Sequence, residues 1–436
     1  MPDASMPRTL VVNFNSPELN QLALALAGCD ALHAYVRPYV NKGRRWERAL
    51  SALPLAGRAY ATTFGRRSMS DPRLAALTHE AGVWPDLCAA SIGRLHLLPP
   101  RTRHHWTNRL VMSVREAVAQ AACRHVADAD CIVGYEGFAL PAFAAARSIG
   151  GRATALNYPV AHHRQRRRVR LEENEREPDF AVTWPDFDDW PDGHEARLDT
   201  EIELADVVLV GSGYAADSFV AEGIEREKMR VVPYGVDLRT FCPASPATKR
   251  ASDRFQVIYA GQLTQRKGLA YLLRGYQQFA RQDSHLTLVG SIVGSDAPLR
   301  PFAHLFEHIP HQTRPALAER YRHSDVFVLP TLIEGMPLVV LEAMACGLPV
   351  IVTANGPADI VREGIDGFVV AERDSEAICD RLDRLYRDPE MRSEMGRQAA
   401  RRASEFGWGA YSAGARTVIA DIGRRRSEPQ PQERHG

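Results

Sequence analysis

Two glutamates with seven residues between them are the side chains best placed to do chemistry in this chain. Glu334 and Glu342 lie in the apolar stretch LIEGMPLVVLEAMACGLPVIV. Eight helical residues rise ~12 Å, roughly the span between the two sugar rings of a nucleotide diphosphate sugar. Carboxylates accept charge-assisted hydrogen bonds from hydroxyls, so the pair could hold such a molecule at both ends. The same spacing also fits a surface helix with one carboxylate at its N-terminus and one solvated glutamate.

The start of this segment has the features of an anion site. Pro337 suits the first position of a helix, and the pattern predicts a helix over 337–346. Free backbone N–H groups and the positive end of the helix dipole would gather at Gly335, Met336 and Leu338. Gly335 would let a ligand approach the backbone closely.

A diphosphate bound there needs cations, and an earlier segment offers two. In YAGQLTQRKGLAYLL a strand ends at Gly261, and a turn then presents Arg266 and Lys267 before the next helix. Arginine can grip phosphate oxygens through two hydrogen bonds, and lysine acts as a point charge. The alternative is a solvated basic pair in a loop, but the position at the carboxyl end of a strand favours the binding site.

Alternating strands and helices must position these residues. Apolar runs predict strands over 8–14, 128–135, 152–159, 207–210, 230–233, 255–261, 286–290, 325–330 and 349–353, with helical patterns between most of them. This alternation predicts parallel sheets with helices on both faces, and ligands of such sheets bind at the carboxyl ends of strands. The pattern restarts after the polar stretch 239–254, which is the best candidate for a linker.

Composition limits the class of protein without identifying it. The chain has 436 residues, 45% hydrophobic and 25% charged, with a net charge of +1, so no global charge indicates nucleic acid binding. The seven cysteines form no C-x-x-C pair and no metal-ligand spacing, which is typical of reduced thiols. The N-terminal stretch lacks the cationic start and the longer apolar core of a signal peptide, so we expect none, and no run approaches ~18 uninterrupted apolar residues. We therefore expect a cytoplasmic protein, with peripheral contact at the inner face of the membrane as an alternative.

The stretch VVLVGSGYAA matches the G-x-G-x-x-A pattern of dinucleotide-binding folds through Gly211, Gly213 and Ala216. That fingerprint needs an acidic residue ~20 positions on, at the end of the next strand. Here Asp237 comes later and beyond a turn. A helix start capped by Ser212 explains the pattern better, and an NAD-linked dehydrogenase stays the weaker hypothesis.

The sequence resembles the family 4 retaining glycosyltransferases, which share the two-domain GT-B architecture. The resemblance covers roughly residues 195–410. It is carried by ELADVVLVGS, VVPYGVDLRTFCP, YAGQLTQRKG, YRHSDVFVLPTLIEGMPLVVLEAMACGLPVIVTANGP, DGFVV and LYRDPEMRSEMG. The E-x7-E element combined with the R-K-G loop in this order makes the match specific.

The resemblance implies a role for each matching residue. Glu334 would contact hydroxyls of the transferred sugar, and Glu342 would hold the ribose. Backbone N–H groups of Gly335 and Met336 would meet the diphosphate or the sugar. Arg266 and Lys267 would stabilise the charge of the departing phosphate. Such enzymes generally use no metal, so we expect no metal and no cofactor.

The N-terminal half resembles the family poorly. A glycine-rich loop often follows the first strand in the family, whereas here Asn13 and Asn15 stand in its place. The family also places a histidine after a middle strand of the first domain, near the reactive carbon of the sugar. NYPVAHHR offers His162 and His163, and we favour His162. The arginine-rich run 164–170 is expected to face solvent, with contact to an anionic acceptor at a membrane as the alternative.

These observations predict two Rossmann-like doubly wound α/β domains that face a cleft. We expect an acceptor-binding domain over 1–240, a nucleotide-sugar domain over 241–410, a helix over 411–424 that crosses back, and a disordered tail over 425–436. The expected activity is transfer of a hexose from a UDP- or GDP-sugar to a glycan or lipid-linked acceptor, as in cell-surface polysaccharide or lipopolysaccharide synthesis. A nucleotide-sugar epimerase or hydrolase on the same fold, and a non-catalytic sugar-nucleotide binding protein, are the alternatives.

Overall fold

The structure is a computed structural model that describes most of the chain. The described residues are 6–54, 57, 60, 67, 69, 71–92, 100–184, 193–244 and 254–427. Most of the predicted linker, residues 245–253, and most of the predicted tail, residues 428–436, lie outside the described residues.

The chain divides into two compact units, each built from separate chain segments. Unit 1 contains Met1–Tyr158, Phe187–Leu209 and Ser412–Gly436. Unit 2 contains Pro159–Asp186 and Val210–Tyr411. These bounds differ from the predicted ranges 1–240 and 241–410.

Unit 1 is a parallel sheet with helices between its strands. Its strands lie in the order β3-β2-β1-β4-β5-β6, and every neighbouring pair is parallel. The strands are β1 Thr9–Val12, β2 Leu32–Arg37, β3 Thr78–Glu80, β4 Cys131–Tyr135, β5 Ala153–Asn157 and β6 Val207–Val210. The helices are α1 Pro17–Gly28, α2 Arg45–Ser51, α3 Pro72–Ala76, α4 Val83–Ile92, α5 Pro100–Cys123, α6 Leu140–Ile149 and α8 His194–Leu204.

Unit 2 is built on a second parallel sheet. Its strands lie in the order β10-β9-β8-β11-β12-β13. They are β8 Phe255–Ala260, β9 Ser284–Val289, β10 Phe306–Ile309, β11 Val326–Leu329, β12 Val350–Thr353 and β13 Gly367–Val370, and the short strand β7 Met229–Val231 precedes them. The helices are α7 His163–Arg176, α9 Gly213–Val220, α10 Leu269–Phe279, α11 Arg314–Arg322, α12 Leu338–Ala345, α13 Ser375–Arg387, α14 Pro389–Ser404 and α15 Trp408–Ser427, which continues into unit 1.

Several of the strands that the sequence predicts are buried at every residue, whereas the mostly buried strand β2 is not among the predicted runs. All four residues of β1, β6, β11 and β12 are buried, as expected for strands of parallel sheets covered on both faces. The three-residue strand β3 has the sequence THE, which carries no apolar run, and the pattern of the sequence does not indicate it.

The segment 159–186 belongs to unit 2 because buried hydrogen bonds attach it there. Gln265 donates from its side chain to Glu173 at 2.6 Å and from its backbone to the hydroxyl of Thr183 at 2.9 Å. The backbone N–H of His162 donates to Ser218 at 2.8 Å. A segment encoded well before β8 is therefore part of the unit that carries the basic pair.

Candidate functional site

The basic pair lies in a short 3₁₀ turn, Gln265–Lys267, which we call the basic turn. Thr264 caps it by accepting a hydrogen bond from the backbone N–H of Arg266. Gly268 then adopts a φ of +72°, and a Cβ there would overlap the carbonyl oxygen of Pro330, so the position requires glycine. The turn is thus fixed against the chain that leaves β11, the neighbour of β8 in the sheet.

Backbone contacts join the basic turn to the segment that carries Glu334. The carbonyl oxygen of Arg266 accepts hydrogen bonds from the N–H of Leu332 at 2.9 Å and from the hydroxyl of Thr331 at 3.2 Å. The Arg266 guanidinium donates to the carbonyl oxygen of Ile333 at 3.2 Å. Hydrogen bonds therefore join two loops at the carboxyl ends of adjacent strands, which is where ligands of parallel sheets bind.

Glu334 joins both cations. Its Oε1 accepts from Nη1 of Arg266 at 2.5 Å and forms an ion pair with Nζ of Lys267. Glu334 is 7% exposed and Lys267 8%. One carboxylate faces two cations, so the group keeps one uncompensated positive charge.

Burial and the ion pairs shift the pKa values of this group in defined directions. Burial alone would raise the pKa of Glu334, but attraction to Arg266 and Lys267 outweighs it and holds the pKa below its ordinary value. Burial lowers the pKa of Lys267, and Glu334 opposes this shift only in part. Glu334 is therefore ionised at neutral pH and serves as the resident counter-ion of the basic turn.

Helix α12 begins one residue later than predicted. Pro337 is the N-cap residue with extended backbone, and the helix spans Leu338–Ala345 rather than 337–346. Glu334 precedes the helix, so the distance of ~12 Å for a continuous helix does not apply to the two glutamates. Among the described residues, the backbone N–H groups of Gly335, Met336 and Leu338 find no acceptor, which agrees with a free helix start.

Gly335 is required by the protein's own packing. A Cβ at Gly335 would overlap the carbonyl oxygen of Pro159, and the Gly335 carbonyl oxygen accepts from the Ser212 hydroxyl at 2.5 Å. On the other side, a Cβ at Gly356 would lie 2.8 Å from the Cβ of Glu334. The expected close approach of a ligand to Gly335 therefore competes with contacts that the chain itself makes.

Glu342 has a different partner from Glu334. It is buried on α12, and its Oε1 accepts from Nη2 of Arg314 on α11 at 3.0 Å. Burial raises the pKa of Glu342, and the attraction of Arg314 lowers it less. No motif in the sequence indicates Arg314, which lies 28 positions before Glu342 on another helix.

Gly261 lies directly after β8, as predicted. Its φ is +147°, and its N–H donates to the carbonyl oxygen of Val289 at 2.9 Å. A Cβ at Gly290 would overlap the carbonyl oxygen of Gly261, so the ends of β8 and β9 lie close together. This close packing leaves no room for a side chain at Gly290, whereas a Cβ at Gly261 would meet only the side chain of Tyr259 at 3.6 Å and is disfavoured by the φ of that residue.

His162 holds the N-terminus of α7. Its Nδ1 accepts from the backbone N–H of Arg164 at 3.2 Å, and its ring packs edge-on against Phe219 at 4.9 Å. The ring of His163 stacks on it at 4.2 Å. These contacts make His162 a buried helix cap. The contacts described above join three of the predicted site residues to one another, namely Arg266, Lys267 and Glu334. The arginine-rich run 164–170 is exposed in part, as expected of a run that faces solvent, but its last residue Arg170 is buried.

The Gly211–Gly213 pattern is a capped helix start. Ser212 caps α9 by accepting from the N–H of Ala215, which confirms the structural interpretation of this motif. A Cβ at Gly211 would lie 2.8 Å from the Cβ of Met336, so the space next to this glycine is filled by side chains.

Asn13 and Asn15 lie in a polar cluster of unit 1. Asn13 is buried and donates to the hydroxyl of Tyr35 at 2.8 Å, and Asn15 accepts from Arg37 at 2.6 Å with a φ of +81°. The cluster lies at the carboxyl ends of β1 and β2, where a glycine-rich loop was absent from the sequence.

Part of the chain is similar in sequence to a known family and to curated proteins. Residues 254–388 match the family model of Glycosyl transferases group 1. The chain is 33% identical over 211 residues to a D-inositol 3-phosphate glycosyltransferase of Paenarthrobacter aurescens (strain TC1), covering 44% of this chain and 52% of that protein. It is 36% identical over 210 residues to one of Frankia alni (strain DSM 45986 / CECT 9034 / ACN14a), covering 43% and 52%. The chain spans about half the length of the curated relatives it matches.

Solved structures resemble the whole chain. The sucrose-phosphate synthase of Thermosynechococcus elongatus superimposes with a TM-score of 0.63 at 18% identity, covering 96% of this chain and 99% of that one. Anabaena Alr3699/HepE in complex with UDP and glucose superimposes with a TM-score of 0.61 at 14% identity, covering 95% and 99%. The fold is that of the GT-B glycosyltransferases. The predicted fold class of two Rossmann-like α/β domains is therefore confirmed, and assignment to family 4 stays a prediction.

None of the described helices has the length and apolar character needed to cross a membrane.

Proposed function

We propose that this protein is a family 4 retaining glycosyltransferase that transfers a hexose from a UDP- or GDP-sugar to a glycan or lipid-linked acceptor. The observation that carries the proposal is the buried group of Arg266, Lys267 and Glu334, which retains one positive charge beside free amides at the start of α12. A diphosphate fits this combination because cations and a helix N-terminus both favour it.

Two cations suit this reaction because the leaving diphosphate gains negative charge. In the transfer, the bond between the anomeric carbon and the diphosphate oxygen breaks, and negative charge develops on that oxygen. Arg266 and Lys267 stabilise this charge. The acceptor oxygen bonds to the same carbon on the same face, and its proton passes to the departing diphosphate. No protein nucleophile is required, and the two cations take the place of a metal ion.

Glu334 changes partners in this proposal. When the diphosphate reaches Arg266 and Lys267, the carboxylate is free to accept hydrogen bonds from hydroxyls of the transferred sugar. Glu342 holds the ribose, and Arg314 orients its carboxylate. His162 contributes through the helix α7 that it caps and, in the role that the family resemblance implies, near the reactive carbon.

The similar solved structures and relatives indicate which donors and acceptors to test first. The complexes of Anabaena Alr3699/HepE contain UDP, and one contains UDP-glucose, which favours a UDP-sugar over a GDP-sugar. The relatives named D-inositol 3-phosphate glycosyltransferase make inositol phosphates worth testing beside glycans and lipid-linked sugars. We place the reaction in cell-surface polysaccharide or lipopolysaccharide synthesis, in the cytoplasm or at the inner face of the membrane.

The test is a transfer assay with two site variants and two matched controls. Purified protein is incubated with UDP-glucose or GDP-mannose and a panel of acceptors, and NMR follows the new glycoside and its anomeric configuration. Lys267→Ala and Glu334→Ala should each lower turnover by about 100-fold or more. Lys228→Ala and Glu225→Ala, at the 3₁₀ turn Arg226–Lys228 outside the site, should keep it.

Each other result identifies a different function. If both site variants keep wild-type turnover, the assignment is wrong. Release of free sugar without an acceptor product would identify a hydrolase, and a changed sugar on the nucleotide an epimerase. Binding of UDP or GDP without any turnover would identify a non-catalytic binding protein.

A further inference from the structure

A buried carboxylate on α7 lies next to the basic turn. Glu173 is 0% exposed, although it belongs to the highly charged helix His163–Arg176. It shares the buried face of that helix with His163 and Arg170. A carboxylate without access to water is costly unless hydrogen bonds and opposite charge compensate it.

Three side chains satisfy both oxygens of Glu173. Oε1 accepts from Nε2 of Gln265 at 2.6 Å and from the hydroxyl of Tyr271 at 2.8 Å. Oε2 accepts from Nε of Arg373 at 2.9 Å. The carboxylate thus joins α7, the basic turn, α10 and the loop after β13 at one point.

Gln265 transmits this anchoring to the cations. It is the first residue of the basic turn, and it is buried. Its backbone N–H donates to Thr183 at 2.9 Å, and its Oε1 accepts from the N–H of Ala270 at 3.0 Å. Every polar group of the Gln265 side chain is therefore used to hold the turn rather than to meet a ligand.

We propose that Glu173 is a positioning residue of the donor site, and that it sets the place of Arg266 and Lys267 through Gln265. This inference rests on the proposed function, in which the two cations meet the diphosphate. Glu173 touches neither cation, so it acts through the backbone of the turn. Displacement of a charged group by about 1 Å can lower a rate by about 100-fold, so an anchor of this kind has a measurable effect.

The test replaces Glu173 by glutamine. The amide keeps one oxygen but presents N–H groups where the second oxygen was, so either Arg373 or the Gln265–Tyr271 pair loses its acceptor. We expect a weaker Kd for UDP by about 10-fold and a lower kcat by about 10- to 100-fold. Calorimetric titration with UDP measures both Kd and stoichiometry, and GDP replaces UDP if the wild type binds only GDP. Thermal unfolding checks that the variant is folded.

The stoichiometry separates positioning from a general loss of structure. A merely structural role would reduce the fraction of active protein, and so lower the stoichiometry and leave the Kd unchanged. A positioning role weakens the Kd at a stoichiometry near that of the wild type. Retention of the wild-type Kd and kcat by folded Glu173→Gln would overturn the inference.

Two matched variants control for charge and for the network. Glu172→Gln removes a carboxylate from the same helix that also reaches Arg373, at 3.5 Å, but its side chain is exposed and does not contact the turn. Tyr271→Phe removes one hydrogen bond to Glu173 and leaves the bond from Gln265. Both should bind UDP within about 3-fold of wild type, and an equal loss in Tyr271→Phe would contradict positioning through Gln265.

A double-mutant cycle with Lys267→Ala tests the route. If Glu173 acts through the basic turn, its replacement should weaken the Kd less in the Lys267→Ala background than in the wild type, because only Arg266 then remains to be positioned. Independent, multiplicative effects would contradict the route. If Glu173→Gln fails to fold, Thr183→Val removes the other anchor of Gln265 and should weaken the Kd for UDP, and an unchanged Kd would overturn the inference.

Binding and transfer measured with the wild-type protein distinguish failure of this inference from failure of the proposed function. Absence of UDP and GDP binding and of transfer by the wild type would refute the proposed function and the inference with it. Wild-type transfer together with an unaltered Glu173→Gln variant would refute the inference alone.

Discussion

Replacement of Glu334 by glutamine should destabilise unit 2, whereas the same replacement of Glu342 should leave its stability nearly unchanged. Both carboxylates are buried, but their pKa values shift in opposite directions. Attraction to Arg266 and Lys267 outweighs burial at Glu334 and lowers its pKa, so the folded state favours the ionised form. Burial dominates at Glu342 and raises its pKa, so the folded state holds the ionised form at a cost.

The expected sizes follow from the partners. Loss of one partner of a buried ion pair costs about 3–5 kcal/mol, and glutamine keeps an oxygen acceptor, so we expect about 3 kcal/mol for Glu334→Gln. For a unit of this size that corresponds to a melting temperature lower by about 6–12 °C. The side chain of Arg314, the partner of Glu342, is 48% exposed, and water screens the pair. We therefore expect a change within about 1 kcal/mol for Glu342→Gln.

The pH dependence of the stability also differs between the two glutamates, and it provides a second, independent test. The carboxylate of Glu334 stabilises the fold above its unfolded pKa, and that contribution is lost as the pH falls through the lowered folded pKa. The ionised carboxylate of Glu342 destabilises the fold above its raised folded pKa, and protonation relieves this as the pH falls. The deficit of Glu334→Gln relative to wild type should thus be largest near neutral pH and shrink in acid.

Calorimetry and far-UV circular dichroism of the two variants measure these differences between pH 7 and pH 3, because the loss at Glu334 begins only below its ordinary pKa of 4.5. An equal loss in both variants at pH 7 would refute the electrostatic reasoning, because burial alone would then determine the cost. A larger loss of stability in Glu342→Gln than in Glu334→Gln would contradict the predicted order of the two variants.

Three further predictions concern the basic turn and the backbone around it. Because burial lowers the pKa of Lys267, kcat/KM should fall on raising the pH before an ordinary lysine loses its proton, and Lys267→Arg should move that fall to higher pH in a pH–rate profile. Dialysis against EDTA should leave the transfer rate within about 2-fold, because in the proposed function side chains rather than a metal neutralise the diphosphate, and a rate restored only by Mg²⁺ would contradict this. Gly335→Ala should cost about 1–3 kcal/mol in unfolding experiments because its Cβ overlaps Pro159. Gly409→Ala, which has open space in α15, should keep or raise the melting temperature.

The sequence was most informative where strands are apolar and buried. The runs at 207–210 and 255–261 predict β6 and β8 almost to the residue, because strands of parallel sheets are apolar on both faces. The strand β3 gave no such signal, since three polar residues fit a loop equally well. The predicted start of α12 differs from the observed start by one residue, because proline is common at both the N-cap and the first helical position.

The candidate site was predictable as far as sheet topology determines it. Arg266, Lys267 and Glu334 follow two strands that the structure pairs, so their side chains meet at one edge of the sheet. The partner Arg314 lies on a separate helix, and nothing in the E-x7-E spacing indicates it. Glu173 lies in a run of charged residues, where only its helical spacing from His163 and Arg170 could have marked a buried face.

Unit 2 contains two separate segments of the chain, with residues 187–209 between them, and this limits how it can be dissected. A fragment that starts at residue 241 would include the basic turn and Glu334 but would omit Glu173, Thr183 and Ser212. The omitted side chains satisfy buried groups of that fragment, including the carbonyl oxygen of Gly335 and the backbone N–H of Gln265. During synthesis the ribosome makes these supports well before the turn that they hold. A usable fragment of unit 2 must therefore carry residues 159–186 and begin its second part at 210, for example as a fusion of the two pieces.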